Sequence, residues 1–188
     1  LIVGLGNPGP DYSHNRHNVG QMVLDVLAKR LGATFKSSKS NALVAETKLG
    51  VGVDAPKLVL AKPMSFMNLS GGPVSSLMKF YDLNPDHLIV LHDELDIDSQ
   101  LIRIKFAGGH AGHNGLRDII SAIGPEFIRV RIGIGRPPGS MEVADFVLRD
   151  FSSNEKKELP VTLEIAADAV EAIAKDGLTT AQQKFHSN

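Results

Sequence analysis

The stretch Leu5-Gly6-Asn7-Pro8-Gly9-Pro10-Asp11-Tyr12-Ser13-His14-Asn15-Arg16-His17-Asn18 decides how this chain is read. The apolar run Leu1-Ile2-Val3 before it reads as a buried strand, and helical spacing follows it. The stretch is therefore a strand-to-helix connection, the place where an α/β sheet displays functional groups. It offers an imidazole at His17, a phenol at Tyr12 and uncharged amides at Asn7 and Asn18. An unperturbed imidazole titrates at about pH 6.5, so acid–base chemistry at neutral pH is open to it.

Gly4-Leu5-Gly6-Asn7-Pro8-Gly9 formally fits G-x-G-x-x-G after a strand. A dinucleotide site needs the helix to open within those glycines, so that its N-terminus meets the pyrophosphate. Pro8 and Pro10 oppose this, because each lacks an N–H and drives the residue before it out of the α region. The expected helix begins later, with Asn18 as N-cap and Gly32 just past its end. Asp25 has the fingerprint spacing but falls inside that helix.

Working outward, 188 residues suffice for one domain with a sizeable core, spanning residues 1–188. A chain 43% hydrophobic and 22% charged is ordinary for a soluble globular protein. It has no cysteine, which removes disulfides and thiolate chemistry and fits a reducing cytosol, hence a cytoplasmic location. No apolar run approaches a membrane span, and no signal peptide is visible. Starting at Leu1 implies an initiator Met, and a few residues with it, upstream.

A net charge of −1 alone predicts no polyanion partner. The distribution says more. Six acids and no Lys or Arg lie between Asp82 and Asp98, whereas Arg103 to Arg136 holds six bases against two acids. Such a basic face on a neutral protein can bind phosphates, and its plainer reading is a solvated surface.

Strands are expected at 33–35, 43–49, 58–61, 88–91 and 101–106, with turns at 36–41 and 50–56. Ile128-Arg129-Val130-Arg131-Ile132-Gly133-Ile134 alternates, putting Ile and Val in the core and Arg129 and Arg131 together on the opposite face. Helices are expected over 19–31, from Pro73 to Tyr81, from Leu116 to Ile123, and briefly over 142–148. Ser152-x-x-Glu155 is a capping box for a long helix to Asp176, which Pro160 should kink or delay. Gly177 ends it, and Thr179 is the expected cap of a last short helix to Phe185.

The remaining polar groups sit in the connections. Phe66–Asn68 is a second strand-to-helix loop. His92-Asp93-Glu94 closes an apolar strand, where ligand sites of open sheets lie. Glu94, Asp96 and Asp98 do not form a calcium loop, because Ser99 and Lys105 stand where its Gly and Glu belong. Residues 107–115 form a Gly-rich loop with His110 and His113, too few placed ligands for zinc.

Strands alternating with helices give a single-domain α/β fold. Five ordered blocks then resemble one family. They are Gly4-Leu5-Gly6-Asn7-Pro8-Gly9-x-x-Tyr12-x-x-x-Arg16-His17-Asn18-x-Gly20, Lys62-Pro63-Met64-x-Phe66-Met67-Asn68-x-Ser70-Gly71, Asp93-Glu94-Leu95-Asp96, Gly112-His113-Asn114-Gly115-Leu116-Arg117 and Arg131-x-Gly133-Ile134-Gly135-Arg136-Pro137. Together they are similar to the bacterial-type peptidyl-tRNA hydrolases over nearly the whole chain. The resemblance implies a twisted mixed β-sheet flanked by helices. It also implies a monomer that hydrolyses, without metal or cofactor, the ester joining a peptide to the 3′ ribose of tRNA.

By the same resemblance, His17 is the proton acceptor and Asp93 its supporting carboxylate. Asn7 distinguishes N-blocked from free aminoacyl groups, and Asn68, Asn114 and His113 complete the substrate and oxyanion set. Tyr12, Phe66, Asn68 and Asn114 match tRNA contacts, while Lys105 and Arg131 match a clamp on the tRNA 5′-phosphate. Two departures stand out: Asn15 replaces the usual Thr, and Ala107 and Ala111 replace glycines.

The chemistry agrees with the resemblance. Ester hydrolysis needs a base, a water and donors for the oxyanion, and amides donate without adding charge. There is no G-x-S-x-G elbow and no cysteine, so direct attack by water is the simplest route. The rivals are an RNA-binding module without catalysis on the same fold and, less well supported, a dinucleotide enzyme.

Overall fold

Four parallel strands set the frame. In the computed structural model, which describes residues 1–186, β1 (Ile2–Gly4) lies between β4 (Lys57–Pro63) and β5 (Ile89–Glu94), and β5 continues to β7 (Ile128–Gly133). Antiparallel strands extend both flanks: β3 (Ala42–Lys48) and β2 (Lys36–Ser37) beyond β4, and β6 (Ile102–Phe106) beyond β7. The order is β2-β3-β4-β1-β5-β7-β6, a mixed seven-stranded sheet.

Strands buried on both faces are apolar on both faces, and β1 illustrates this. Ile2 packs into one core, with α1 (Val19–Leu31) and α5 (Ser153–Asp176). Val3 packs into the other, with α2 (Gly71–Phe80) and α3 (Asn114–Ile123). The short α4 (Val143–Val147) and the last helix α6 (Leu178–His186) join the first layer.

The glycines of the first block serve this packing. A Cβ on Gly4 would sit 2.5 Å from the carbonyl oxygen of Gly20, and one on Gly20 would sit 2.2 Å from that of Leu91. Both residues must lack a side chain for α1 to press its backbone against β1 and β5. Helix α1 opens at Val19, well past Gly9, and ends at Gly32 in the left-handed region at φ 62°. This is not the geometry of a pyrophosphate loop.

Several expectations are corrected. Residues 33–35 are not a strand. The short strand is Lys36–Ser37, inside the expected turn, where it pairs with Val44 and Leu43. Both its residues are exposed, so backbone pairing holds it and no apolar pattern marks it. Strand β5 runs through His92, Asp93 and Glu94 because β7 pairs with it that far. Helix α5 starts at its Ser152–Glu155 capping box and continues through Pro160. The bond that Pro160 forgoes belongs to the carbonyl of exposed Lys156, so its start is not delayed. Helix α6 begins at Leu178, which places Thr179 inside it rather than at its cap.

Strand β6 is the sheet's edge, and α6 lies against it. The Ile104 N–H donates to His186 Nε2 at 2.7 Å, and Gln182 Nε2 donates to the Ile104 carbonyl at 3.3 Å. No described helix is long and apolar enough to cross a membrane.

Candidate active site

The first loop is fastened before it delivers His17. Asn15 Nδ2 donates to Asp150 Oδ1 at 2.9 Å, and the Arg16 N–H donates to the Arg149 carbonyl at 3.0 Å. The buried Arg16 guanidinium donates to both oxygens of Glu155, at 3.1 and 2.5 Å, and to the Phe146 carbonyl at 3.1 Å. It also stacks 4.0 Å above the Phe146 ring. Glu155 is at the same time the reciprocal member of the α5 capping box, so one carboxylate ties the helix start to the loop.

Beyond this anchor, a 3-10 turn (Arg16–Asn18) aims His17 at the end of β5. His17 Nδ1 lies 3.0 and 2.9 Å from the two oxygens of Asp93. His113, the N-cap of α3, brings Nε2 to 2.9 Å from Asp93 Oδ1. Its Nδ1 accepts the Leu116 N–H at 3.3 Å, so the ring proton is on Nε2 and points to Asp93. The carboxylate thus receives an N–H from each of two imidazoles, and both nitrogens of His113 are committed. In this arrangement His113 has no donor left for an oxyanion, the task expected of it from sequence.

The electrostatics follow. Burial pulls the His17 pKa down, but the charge of Asp93 and its hydrogen bond outweigh it, and the net shift is upward from 6.5. Burial raises the Asp93 pKa, yet the two imidazoles overcome this and hold it far below the usual carboxylate range. His92, also on β5, is fully buried; burial, then His113, push its pKa down to about 3. Its Nδ1–H donates to the Asp93 backbone carbonyl at 2.7 Å, while Nε2 is buried without a partner.

Asn7 is set by a second device. Its N–H donates to Asn18 Oδ1 and its carbonyl accepts from Asn18 Nδ2, both at 2.9 Å. Asn18 stands at the N-cap position of α1, as expected, but its side chain makes no cap bond and instead grips the backbone of Asn7 the way a neighbouring strand would. Asn7 Oδ1 accepts the Met67 N–H at 2.7 Å. This fixes the amide and leaves its NH2 as the group for a substrate. Gln21 Nε2 ties the Gly6 and Pro63 carbonyls at 3.4 and 3.3 Å, joining the first loop to the one after β4.

A cavity of about 270 Å³ adjoins His17 and Asp93. Leu95, Val143, Ala144 and Val147 give it an apolar wall, and Asn114 and His113 line the opposite side. Asn114, the first residue of α3, and Asn68, in the turn Met67–Leu69, are both exposed. Phe66 is exposed too, and Tyr12 meets it edge to face at 6.3 Å. Among the described residues, His17, Asp93 and His113 form the one group with metal-ligand atoms within 4.8 Å of one another. Those atoms bond to each other, so a cation would have to displace both bridging protons.

Comparison with known proteins agrees with this geometry. The family described as peptidyl-tRNA hydrolase matches residues 1–188. The chain belongs to the peptidyl-tRNA hydrolase family. The peptidyl-tRNA hydrolase of Renibacterium salmoninarum is 62% identical over 188 residues, covering 99% of this chain and 96% of that protein. The one from Arthrobacter sp. (strain FB24) is 59% identical, covering 100% and 96%. The crystal structure of the Acinetobacter baumannii peptidyl-tRNA hydrolase has a TM-score of 0.90 at 38% identity, covering 100% of this chain and 94% of that one. This family and this mixed sheet replace the dinucleotide alternative.

The remaining family positions lie on β6, β7 and the loop after β6. Lys105 is exposed and Arg131 half-buried, on the same face of the sheet, one register step apart diagonally. Arg129 shares that face, as the alternation expects, and is buried there. Residues 107–113 lead from Phe106, opposite the start of β7, past Arg129 to His113, beside Asp93. Arg129 donates to the carbonyls of Gly108, Gly109 and Pro125. Ala107 and Ala111 both adopt left-handed conformations, at φ 60° and 49°.

Arg16, His92 and Arg129 are neighbours of the site to which sequence reasoning gives no role, and Asn18 reads there only as a free amide and a helix cap. Asn18 and Arg16 stood inside the first block, but nothing in spacing says that an amide will grip a backbone or that a guanidinium will be buried.

Proposed function

We propose that this chain hydrolyses the ester joining a peptide, or another N-blocked aminoacyl group, to the 3′ ribose of tRNA, recycling peptidyl-tRNA released prematurely during translation. The observation that carries the reading is the orientation of His17. Its Nδ1–H is held by Asp93, so Nε2 is the basic atom, beside a cavity with an apolar wall. Family membership supplies the substrate class.

In this route His17 Nε2 takes a proton from water as the water oxygen attacks the ester carbonyl. The charge of Asp93 favours the imidazolium that forms. The Asn7 NH2 group, with the exposed amides of Asn68 and Asn114, supplies neutral donors to the acyl oxygens and the developing oxyanion. Collapse expels the ribose oxygen, which recovers the proton from His17, giving a free peptide and a tRNA with its terminal hydroxyl restored. No metal or cofactor enters. Tyr12 and Phe66 offer faces for the acceptor end, and Lys105 and Arg131 hold the 5′-phosphate. The working unit is a cytoplasmic monomer.

Release of N-acyl-amino acid from N-acyl-aminoacyl-tRNA tests this, with the unblocked ester as control. Hydrolysis of the blocked ester, abolished by His17→Ala, is expected. Tight tRNA binding without hydrolysis would instead identify an RNA-binding module.

A further inference from the structure

Asp93 is 4% exposed, so water cannot balance its charge. That balance falls to two ring N–H groups: His17 Nδ1 bridges Oδ1 and Oδ2, at 3.0 and 2.9 Å, and His113 Nε2 shares Oδ1 with it, at 2.9 Å. The choice of His at position 113 needs explaining. Capping α3 requires only an acceptor for the Leu116 N–H, and Asn, Asp or Ser perform that task better than an imidazole. What His adds is the second nitrogen, on the far side of the ring, which reaches Asp93.

We infer that His113 is a positioning residue for Asp93: it pins one carboxylate oxygen and limits the negative charge that Asp93 presents to His17. The inference rests on the reading of His17 as the base. A carboxylate bonded to His17 alone would favour the imidazolium more strongly. The ring would then stay protonated to higher pH and be less available as a base. The N–H of His113 weakens that bias while keeping the carboxylate aligned. Because the cap bond fixes which nitrogen of His113 carries the proton, α3 itself holds the donor in place.

Other charged groups around His17 do not take this part. His92 on β5 is neutral and directs its N–H to the Asp93 backbone. Arg16 is paired with Glu155. Glu94 at the end of β5, Asp145 on α4 and Arg117 on α3 are partly or fully exposed. Of these groups, only Asp93 contributes to the shift of His17.

Two variants separate the roles of the ring nitrogens. His113→Asn keeps an acceptor for Leu116 but is too short to reach Asp93, whereas His113→Gln keeps a donor at the distance of Nε2. The His17 ring is titrated by NMR in the substrate-free protein, alongside the pH profile of kcat/KM. In His113→Asn the His17 midpoint should rise by about half a pH unit or more, and the acid limb should move with it. In His113→Gln both should return toward the wild-type values. A folded His113→Asn protein with an unchanged His17 midpoint overturns the inference. If His17 proves dispensable for turnover, the functional reading fails, while the NMR midpoint still decides what His113 does to Asp93.

Discussion

Arg129 stands directly opposite Lys105 across the β6–β7 ladder, two cations in register on one face, and only Lys105 meets solvent. Like charges so placed repel. The arrangement persists because the loop lays the carbonyls of Gly108 and Gly109 over Arg129, with Pro125 adding a third acceptor. Arg129→Met should strand these acceptors and cost about 2 kcal/mol or more. Urea unfolding measures the loss, and amide exchange should quicken in residues 108–113 first. An unchanged midpoint would mean that the loop stays in place without the guanidinium.

Exposed Lys105 and half-buried Arg131 should behave differently from Arg129. Lys105→Ala or Arg131→Ala should raise KM for full-length substrate and flatten its salt dependence, with kcat nearly intact, because phosphate contacts act through charge and position. Removing the tRNA 5′-phosphate should give a similar defect, and the two losses should not add fully. Full additivity would place these residues elsewhere on the RNA.

For the base, His17→Ala should lower kcat by about 10²-fold or more, with tRNA binding retained. The pH dependence has a definite sign. With its pKa raised above 6.5, His17 becomes protonated as pH falls, so kcat/KM should drop on the acid side starting above 6.5. Asp93→Asn leaves burial as the dominant influence and should move that limb to lower pH while reducing the plateau. Stability runs the other way. The stability contributed by the raised pKa of His17 is complete below its unfolded value and is lost as pH rises through the folded one. Thermal melts across this window, wild type against Asp93→Asn, read it.

Asn7 and Asn18 should act as one unit. Asn7→Ala should narrow the preference for blocked over free aminoacyl-tRNA, because the site then loses its fixed donor. Asn18→Ala removes the grip on the Asn7 backbone and should cause a similar narrowing. The double variant should be little worse than either single one. Equal selectivity in wild type and Asn18→Ala would show that Met67 alone orients Asn7.

Ala107 and Ala111 bring a further test. A left-handed alanine costs about 1 kcal/mol, and glycine would remove that strain but lose a comparable amount to its greater freedom when unfolded. Ala107→Gly and Ala111→Gly should therefore leave Tm nearly unchanged and accelerate amide exchange in 108–113. A large rise in Tm would show that strain outweighs entropy here.

Much of this was readable from residues in a row. The Ile128–Ile134 alternation located β7, Gly32 ended α1, and Ser152 with Glu155 opened α5, because periodicity and caps are local. His17 and Asp93 were readable as chemistry-bearing groups at strand ends. What was not readable depended on distant backbone. Burial of Arg129 requires a loop from another strand to cross its face. The role of Asn18 requires a bend that returns Asn7 to it. The second partner of Asp93 requires α3 to begin at the edge where β5 ends. Lys36–Ser37 escaped notice because an exposed strand of two residues has no apolar signature.

The contacts of α6 with β6 bear on how the chain behaves in crowded solution. A sheet's last strand is a template on which another chain can add a strand, the first step of swapping and fibril growth. On β6 the Ile104 N–H and carbonyl are both occupied, by His186 and Gln182, so an incoming strand must first dislodge a helix. At the opposite margin, β2 offers two residues only, too few to seed a ladder. The chain thus gives its own copies little backbone to grow on.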